Sequence, residues 1–272
     1  MTYFTGKVAV VTGAGSGIGR ALAMGLARRG ARVAISDVDA TGLAETAQAL
    51  EALGATVRAD HLDVSERERV LAYADEIAGH FGVVHQVYNN AGIAFTGDIE
   101  AMDFKHLEQV MDVDYWGVVN GSKAFLPHLI ASGDGHVVNI SSVFGIISVP
   151  TQGAYNAAKF AVRGFTEALR MEMVARGRPV KVTCVHPGGI KTNVARNAGQ
   201  VDGLDHDSLA SSFDRVARTT PDHAAEVILR GVEKGKARVL IGADARVIDL
   251  LARVTGPHYQ RLVARFAGKA GL

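Results

Sequence analysis

Lys7-Val8-Ala9-Val10-Val11 runs directly into Thr12-Gly13-Ala14-Gly15-Ser16-Gly17-Ile18-Gly19, and an amphipathic run from Arg20 to Arg29 follows, ending at Gly30. A short apolar run, a glycine-rich turn and then a helical period read as strand, turn, helix. Glycines let the chain reverse tightly and let a bulky anion approach the backbone. The helix start offers unpaired N–H groups and a favourable dipole. The turn therefore has the makings of a dinucleotide pyrophosphate site, with Gly13, Ser16, Gly17, Ile18 and Gly19 as candidate contacts. Its spacing is T-G-x-x-x-G-x-G. It is not G-x-G-x-x-G, because the third position would fall on Ile18 or Arg20, and it lacks the Gly-Lys-Ser/Thr of a triphosphate loop.

Working outward, Arg32 to Ser36 reads as a second strand, with Asp37 at its end, 20 residues past Gly17. A carboxylate there can accept hydrogen bonds from the adenosine ribose and would repel a 2′-phosphate. Ser16 stands where a basic residue would help neutralise that phosphate. Both features favour NAD over NADP. Asp63-Val64, after a third strand at 57–62, is a weaker candidate for the adenine edge. Further strands are expected at Val84 to Tyr88, His136 to Ile140, Lys181 to Val185 and Arg238 to Ile241. Between them, helices are expected at Thr41 to Leu53, Glu66 to Phe81, Lys105 to Leu129, Tyr155 to Ala175 and Pro221 to Lys234. Strand–helix alternation with near-continuous apolar strands predicts an α/β fold, a Rossmann-like, doubly wound parallel sheet of seven strands with helices on both faces. No linker divides residues 1–272, so one domain is expected. The polar stretch 193–219 is expected to form a substrate lid. The amphipathic tail, about 246–272, is interrupted by Pro257 and is expected to pack on the domain or on another subunit rather than on a membrane surface.

Composition narrows the functional classes. The 272 residues are 48% hydrophobic and 21% charged, which fits a packed core rather than a disordered chain. Lys plus Arg number 29 against 28 for Asp plus Glu, so no bulk basic field exists to draw nucleic acid. A lone cysteine, Cys184, excludes an internal disulfide. The ten histidines show no H-x-x-x-H or H-E-x-x-H spacing, so no metal site is expected. The start lacks a basic segment leading into an apolar one, and no apolar run reaches a membrane-spanning length. A soluble, cytoplasmic protein without integral membrane association is therefore expected.

Tyr155 and Lys159 stand four apart near the start of a helix, on one face, and Ser142 lies 13 residues upstream at a strand end. A free tyrosine, with a pKa near ~10, is a poor base at neutral pH, and a nearby ammonium makes it more acidic. The spacing is thus a recipe for a proton exchanger. With Thr12 to Gly19, Asn89-Asn90-Ala91-Gly92, Ser142, Tyr155-x-x-x-Lys159 and Pro187-Gly188 in this order, the chain resembles the short-chain dehydrogenase/reductase superfamily from residue 7 to about 192. The resemblance implies a nicotinamide cofactor and hydride transfer to or from a small-molecule alcohol or ketone. It implies that Asn90 helps hold the adenine-side ribose and the sheet centre. Ile190 and Thr192, after Pro187, are implied to contact the nicotinamide carboxamide and a phosphate, and Lys159 the nicotinamide ribose. A homodimer or homotetramer is also implied.

One position departs from the family pattern. In Val113-Asp114-Tyr115-Trp116-Gly117, Asp114 occupies the place of an asparagine that supports a proton relay to the lysine. Asp114 is retained as a catalytic candidate. A charge there would stabilise the Lys159 ammonium yet oppose a Tyr155 phenolate, so two readings stay open: a working enzyme with a modified relay, or a catalytically weak NAD-binding regulatory protein. Phe95, Val143, Phe144, Ile146, Ile147 and Val149 are candidates for an apolar substrate pocket or for plain core.

Overall fold

The computed structural model describes residues 2–192, 199–201 and 217–269, with side chains up to residue 265. Seven parallel strands form the main sheet: β1 (Val8–Thr12), β2 (Arg32–Asp37), β3 (Val57–His61), β4 (Gln86–Asn89), β6 (Gly135–Ile140), β7 (Val180–Pro187) and β9 (Arg238–Ile241). Their order is β3-β2-β1-β4-β6-β7-β9. The chain winds outward from β1 to β3, then crosses back to lay β4 beside β1, for example Val10 against Val87. That reversal opens a crevice at the carboxyl ends of β1 and β4, the usual ligand-binding place in such sheets.

The strands are apolar throughout because both faces are covered. Along β1, Val8 and Val10 point to one face and Ala9 and Val11 to the other, all fully buried. On the second face lie α1 (Gly17–Ala27), α2 (Ala40–Ala52) and α7 (Pro221–Glu233), with Leu22, Leu26, Leu50, Ile228 and Leu229 in one cluster. On the first lie α3 (Arg67–Phe81), α5 (Gly117–Ala131) and α6 (Gly153–Ala175), with Tyr73, Ile77, Phe125, Leu129 and Leu169 in another. Burying each such large side chain contributes roughly 1.5–3 kcal/mol.

Three local features differ from the sequence expectation. The helix expected from Lys105 to Leu129 is α4 (Phe104–Met111), a π-turn at Asp112–Trp116 and then α5. Gly117 donates its N–H to the Asp112 carbonyl, five residues back, which widens the helix and turns Asp114 fully inward. Helix α1 starts at Gly17, before Arg20; Gly17 itself still carries the turn, with φ +52°, and Gly19 already lies within the first helical turn. Two short strands, β5 (Phe95–Thr96) and β8 (Gly199–Gln200), pair apart from the main sheet, too short to show in any periodicity. The expected lid at 193–219 falls mostly on residues outside the described ones. The tail forms α8 (Ala243–Thr255) and α9 (Tyr259–Lys269), joined by a 3₁₀ turn at Gly256–His258 that contains Pro257.

Candidate active site

The glycine turn is locked to the loop after β4. Thr12 Oγ1 accepts from the N–H groups of Asn90 (3.0 Å) and Ala91 (3.1 Å), and Asn90 Nδ2 donates to the carbonyls of Thr12 (3.0 Å) and Gly13 (3.1 Å). The two donor hydrogens of the Asn90 amide are thus spent on the centre of the fold. Gly13 has φ +64°, and a Cβ there would lie 2.7 Å from Ala91 Cα. A Cβ on Gly19 would lie 2.0 Å from the Gly13 carbonyl oxygen. Only bare backbone fits. Ser16, exposed at the N-cap of α1, makes no side-chain cap, which leaves the first N–H groups of the helix for an anion.

Asp37 stands beside this turn, where its Oδ2 accepts from Gly15 N–H at 2.7 Å and its Oδ1 from Asp39 N–H at 2.9 Å. Asp63 is engaged locally: its Oδ1 accepts from Ser65 N–H and Ser65 Oγ. Val64 is buried, and its carbonyl accepts from Asn120 Nδ2 at 3.0 Å. On the other side, the Thr192 methyl would lie 3.3 Å from a Cβ on Gly17, so the segment after β7 reaches the start of α1. Ile190 is buried and pairs with Thr219, and Pro187 ends β7 in the core. Asp244, a residue sequence reasoning missed, fixes this segment by accepting from Gly189 N–H at 2.7 Å, 55 residues away. A bare-backbone turn, an open helix start and a carboxylate at the second strand end suit a dinucleotide.

Ser142, Tyr155, Lys159 and Asp114 come together. Ser142 follows β6 and caps the 3₁₀ turn Val143–Gly145, its Oγ accepting from Phe144 N–H at 3.1 Å. Tyr155 lies in the first turn of α6, half-buried, with the Phe144 ring edge-on at 6.2 Å. One turn on, Lys159 Nζ lies 5.3 Å from the Tyr155 ring centre and donates to the Ile140 carbonyl at 3.3 Å. Asp114 Oδ2 is 2.9 Å from that Nζ, the side chains being 0% and 4% exposed respectively. Asp114 Oδ1 accepts from Ile93 N–H at 2.7 Å.

The charges follow from this packing. Burial pushes the Asp114 carboxyl up, against the Lys159 ammonium and the Ile93 N–H. Burial pulls Lys159 down, but Asp114 and Tyr155 outweigh it and hold the ammonium above its ordinary value. Tyr155 is raised, first by burial. Lys159 pulls it down, Asp114 pushes it up, and hydrogen bonding with Ser142 pulls it down. His186 is fully buried, with Nδ1 2.9 Å from the Ser142 carbonyl, so that ring nitrogen carries the proton. Burial lowers its pKa to about 4. The buried Cys184 thiol is pushed up to about 12 and is inert.

Beneath the site, Asn89 Nδ2 donates to Ser122 Oγ (3.0 Å) and Asn139 Oδ1 (2.8 Å), and Asn139 Nδ2 donates to Thr166 Oγ1 (3.0 Å). This buried network, which ties β4 and β6 to α5 and α6, has no sequence signal beyond polar residues in apolar runs. Phe95 stacks on His106 at 3.9 Å, and Ile146 and Ile147 pack with Tyr259 of the tail. Thr151, just before α6, has φ +64°, a strained value for a β-branched residue.

A family profile described as short chain dehydrogenase matches residues 7–202. The chain is 63% identical over 270 residues to the "Putative oxidoreductase SadH" of Mycobacterium tuberculosis, covering 99% of this chain and 98% of that protein. It is 34% identical to the "Dehydrogenase/reductase SDR family member 7B" of Xenopus tropicalis, covering 94% and 83%. A short chain dehydrogenase/reductase from Burkholderia phymatum, solved in complex with NAD, superposes with a TM-score of 0.88 at 30% identity, covering 96% of this chain and 97% of that one. The match spans the sheet, the glycine turn and the Ser142–Tyr155–Lys159 cluster alike, and the chain belongs to the short-chain dehydrogenase/reductase family of NAD(P)-using oxidoreductases.

Proposed function

We propose that this oxidoreductase is an NAD-dependent enzyme that interconverts mainly apolar secondary alcohols and ketones, with Ser142, Tyr155 and Lys159 as its catalytic residues. The observation that carries this reading is the convergence of a phenol, an ammonium and a serine hydroxyl at the carboxyl end of β6, on the sheet edge that bears the glycine turn. Gly13, Ser16, Gly17, Ile18, Gly19, Asp37, Asp63, Val64, Asn90, Pro187, Ile190 and Thr192 form the cofactor side. When bound, the nicotinamide supplies or takes up the hydride. Ser142 Oγ and the Tyr155 hydroxyl orient the substrate oxygen. Tyr155 accepts the alcohol proton in oxidation and returns it in reduction. Lys159 makes the phenol more acidic and presents its ammonium to the nicotinamide ribose. Asp37 favours NAD through its negative charge at the ribose position.

Asp114 acts as a positioning residue. Its carboxylate compensates the Lys159 charge that would otherwise stabilise the phenolate, so Tyr155 stays protonated at neutral pH and oxidation rises with pH. Asp114→Asn should move the alkaline limb of the oxidation profile down by about one pH unit. The same ion pair favours a second reading, a weak enzyme kept for NAD-dependent regulation. That reading gains if Asp114→Asn raises turnover by orders of magnitude at every pH. The primary test is Tyr155→Phe, expected to lower turnover about a hundredfold or more while NAD binding persists. Unchanged turnover would remove the proposal. A panel of secondary alcohols run with NAD and with NADP tests substrate class and cofactor choice together.

A further inference from the structure

The tail hairpin has two apolar faces, of which one is covered by the described residues and the other is exposed. Inward, Ile248, Leu251 and Ala252 of α8 and Tyr259 and Val263 of α9 pack on Ile146 and Ile147, just after Ser142. Outward, Val247, Leu250 and Val254 stand three and four residues apart, one stripe of a helix, and are 65%, 62% and 76% exposed. Leu262 of α9 adds a fourth exposed apolar side chain.

The charge around this stripe is one-sided. From Ala243 to the end, the chain carries Arg246, Arg253, Arg261, Arg265 and Lys269 against Asp244 and Asp249 alone, in a protein whose net charge is +1. Both acids are spent inward. Asp244 accepts from Gly189 N–H, and Asp249 is held by Arg238 (2.7 Å) and Arg253 (3.1 Å). Exposed Arg246, Arg261 and Arg265 make no ion pair with any described residue. No helix among the described residues is long and apolar enough to cross a membrane.

We propose that α8 and α9 dock the protein in the plane of an anionic lipid surface, with the Val247–Leu250–Val254 stripe among the acyl chains and the arginines at the headgroups. A second copy of the chain is the poorer occupant. A two-fold contact would bring the same arginine-flanked face against itself, like charge against like, with no exposed Asp or Glu among the described residues of α8 and α9 to pair with them. The proposal stands on the tail alone and does not depend on the assignment of Ser142, Tyr155 and Lys159.

The test is sedimentation of the full chain with vesicles of phosphatidylcholine, with and without about a third of phosphatidylglycerol. Binding is expected to the anionic vesicles and to weaken as salt is raised. Leu250→Ser with Val254→Ser should lower partitioning about tenfold. Arg261→Gln with Arg265→Gln should lower it about tenfold on anionic vesicles only. The arginine pair is exposed and makes no ion pair with any described residue, so it keeps the test informative if the apolar pair fails to fold. Wild-type protein left in the supernatant with both vesicles overturns the proposal. So does binding that neither pair of substitutions changes. Loss of an oligomer in the Leu250/Val254 variant, with no lipid binding by the wild type, assigns the stripe to a second copy instead.

Discussion

Lys159→Met offers a direct measure of what the buried ion pair does for the fold, separate from catalysis. Methionine keeps the apolar stem of the lysine and removes its charge together with the long hydrogen bond to the Ile140 carbonyl. Asp114 would then be a carboxylate with no exposed surface, held by the Ile93 N–H alone. Removing one partner of a buried pair costs about 3–5 kcal/mol, because the other charge stays desolvated. For a chain of this size that corresponds to a Tm lower by roughly 10 °C. The loss should depend on pH. Without its ammonium, Asp114 has only burial acting strongly on it, so its folded pKa lies above the unfolded ~3.9. A group with a raised folded pKa contributes its full stability below the unfolded value and loses it as pH rises through the folded one. The Lys159→Met deficit should therefore be largest at pH 8 and shrink on acidification to pH 5, measured by urea unfolding against wild type at each pH. Adding Asp114→Asn should restore most of the stability at pH 8, since the amide still accepts from Ile93. A Lys159→Met protein with wild-type stability at pH 8, or a deficit equal at pH 5 and pH 8, would refute the reasoning.

His136 is buried, its Nε2 2.8 Å from Thr183 Oγ1, and burial lowers its pKa to about 3; His186 is lowered to about 4. Depressed folded values mean stability that is present above ~6.5 and lost as pH falls toward them, at up to about 1.4 kcal/mol per pH unit for each ring. The urea midpoint should fall between pH 6.5 and 5, and His136→Gln should flatten that slope by about half; an unchanged slope would sink the assignment. Gly19→Ala forces a Cβ against the Gly13 carbonyl and should weaken NAD binding about tenfold or more by calorimetry, with stability reduced by ~1–3 kcal/mol. Asp37→Asn removes the charge proposed to face the adenosine ribose and should improve NADP relative to NAD about tenfold in kcat/KM; an unchanged preference would leave discrimination to other groups.

The fold was legible because its signals are local. Buried strands such as Val8–Thr12 read as apolar runs, and helices between them force parallel crossovers. The glycine turn could be read because φ +64° at Gly13 and the backbone approach at Gly19 exclude other side chains whatever lies beyond. Strand ends shifted by a residue or two, as at β4, where Gln86–Asn89 replaces the expected Val84 to Tyr88. The π-turn at Asp112–Trp116 was invisible, because the single-residue phase shift falls within five residues and a run this short does not separate a shifted stripe from a broad one. Asp244 was missed for a different reason: a carboxylate near a helix start is ordinary until Gly189 is found opposite it.

The residue sequence by itself determined the layered architecture, the dinucleotide-type turn and the placing of Tyr155 and Lys159 on one helical face, all consequences of backbone sterics and helical repeat over a few residues. Tertiary structure alone decided that Asp114 meets Lys159 at 2.9 Å and that both are shut off from water. Desolvation and charge pairing depend on what distant segments bring to the same few ångströms. That Asp114 acts on Tyr155 through a direct, buried pair with Lys159 therefore became readable only once α6 and the π-turn were packed together.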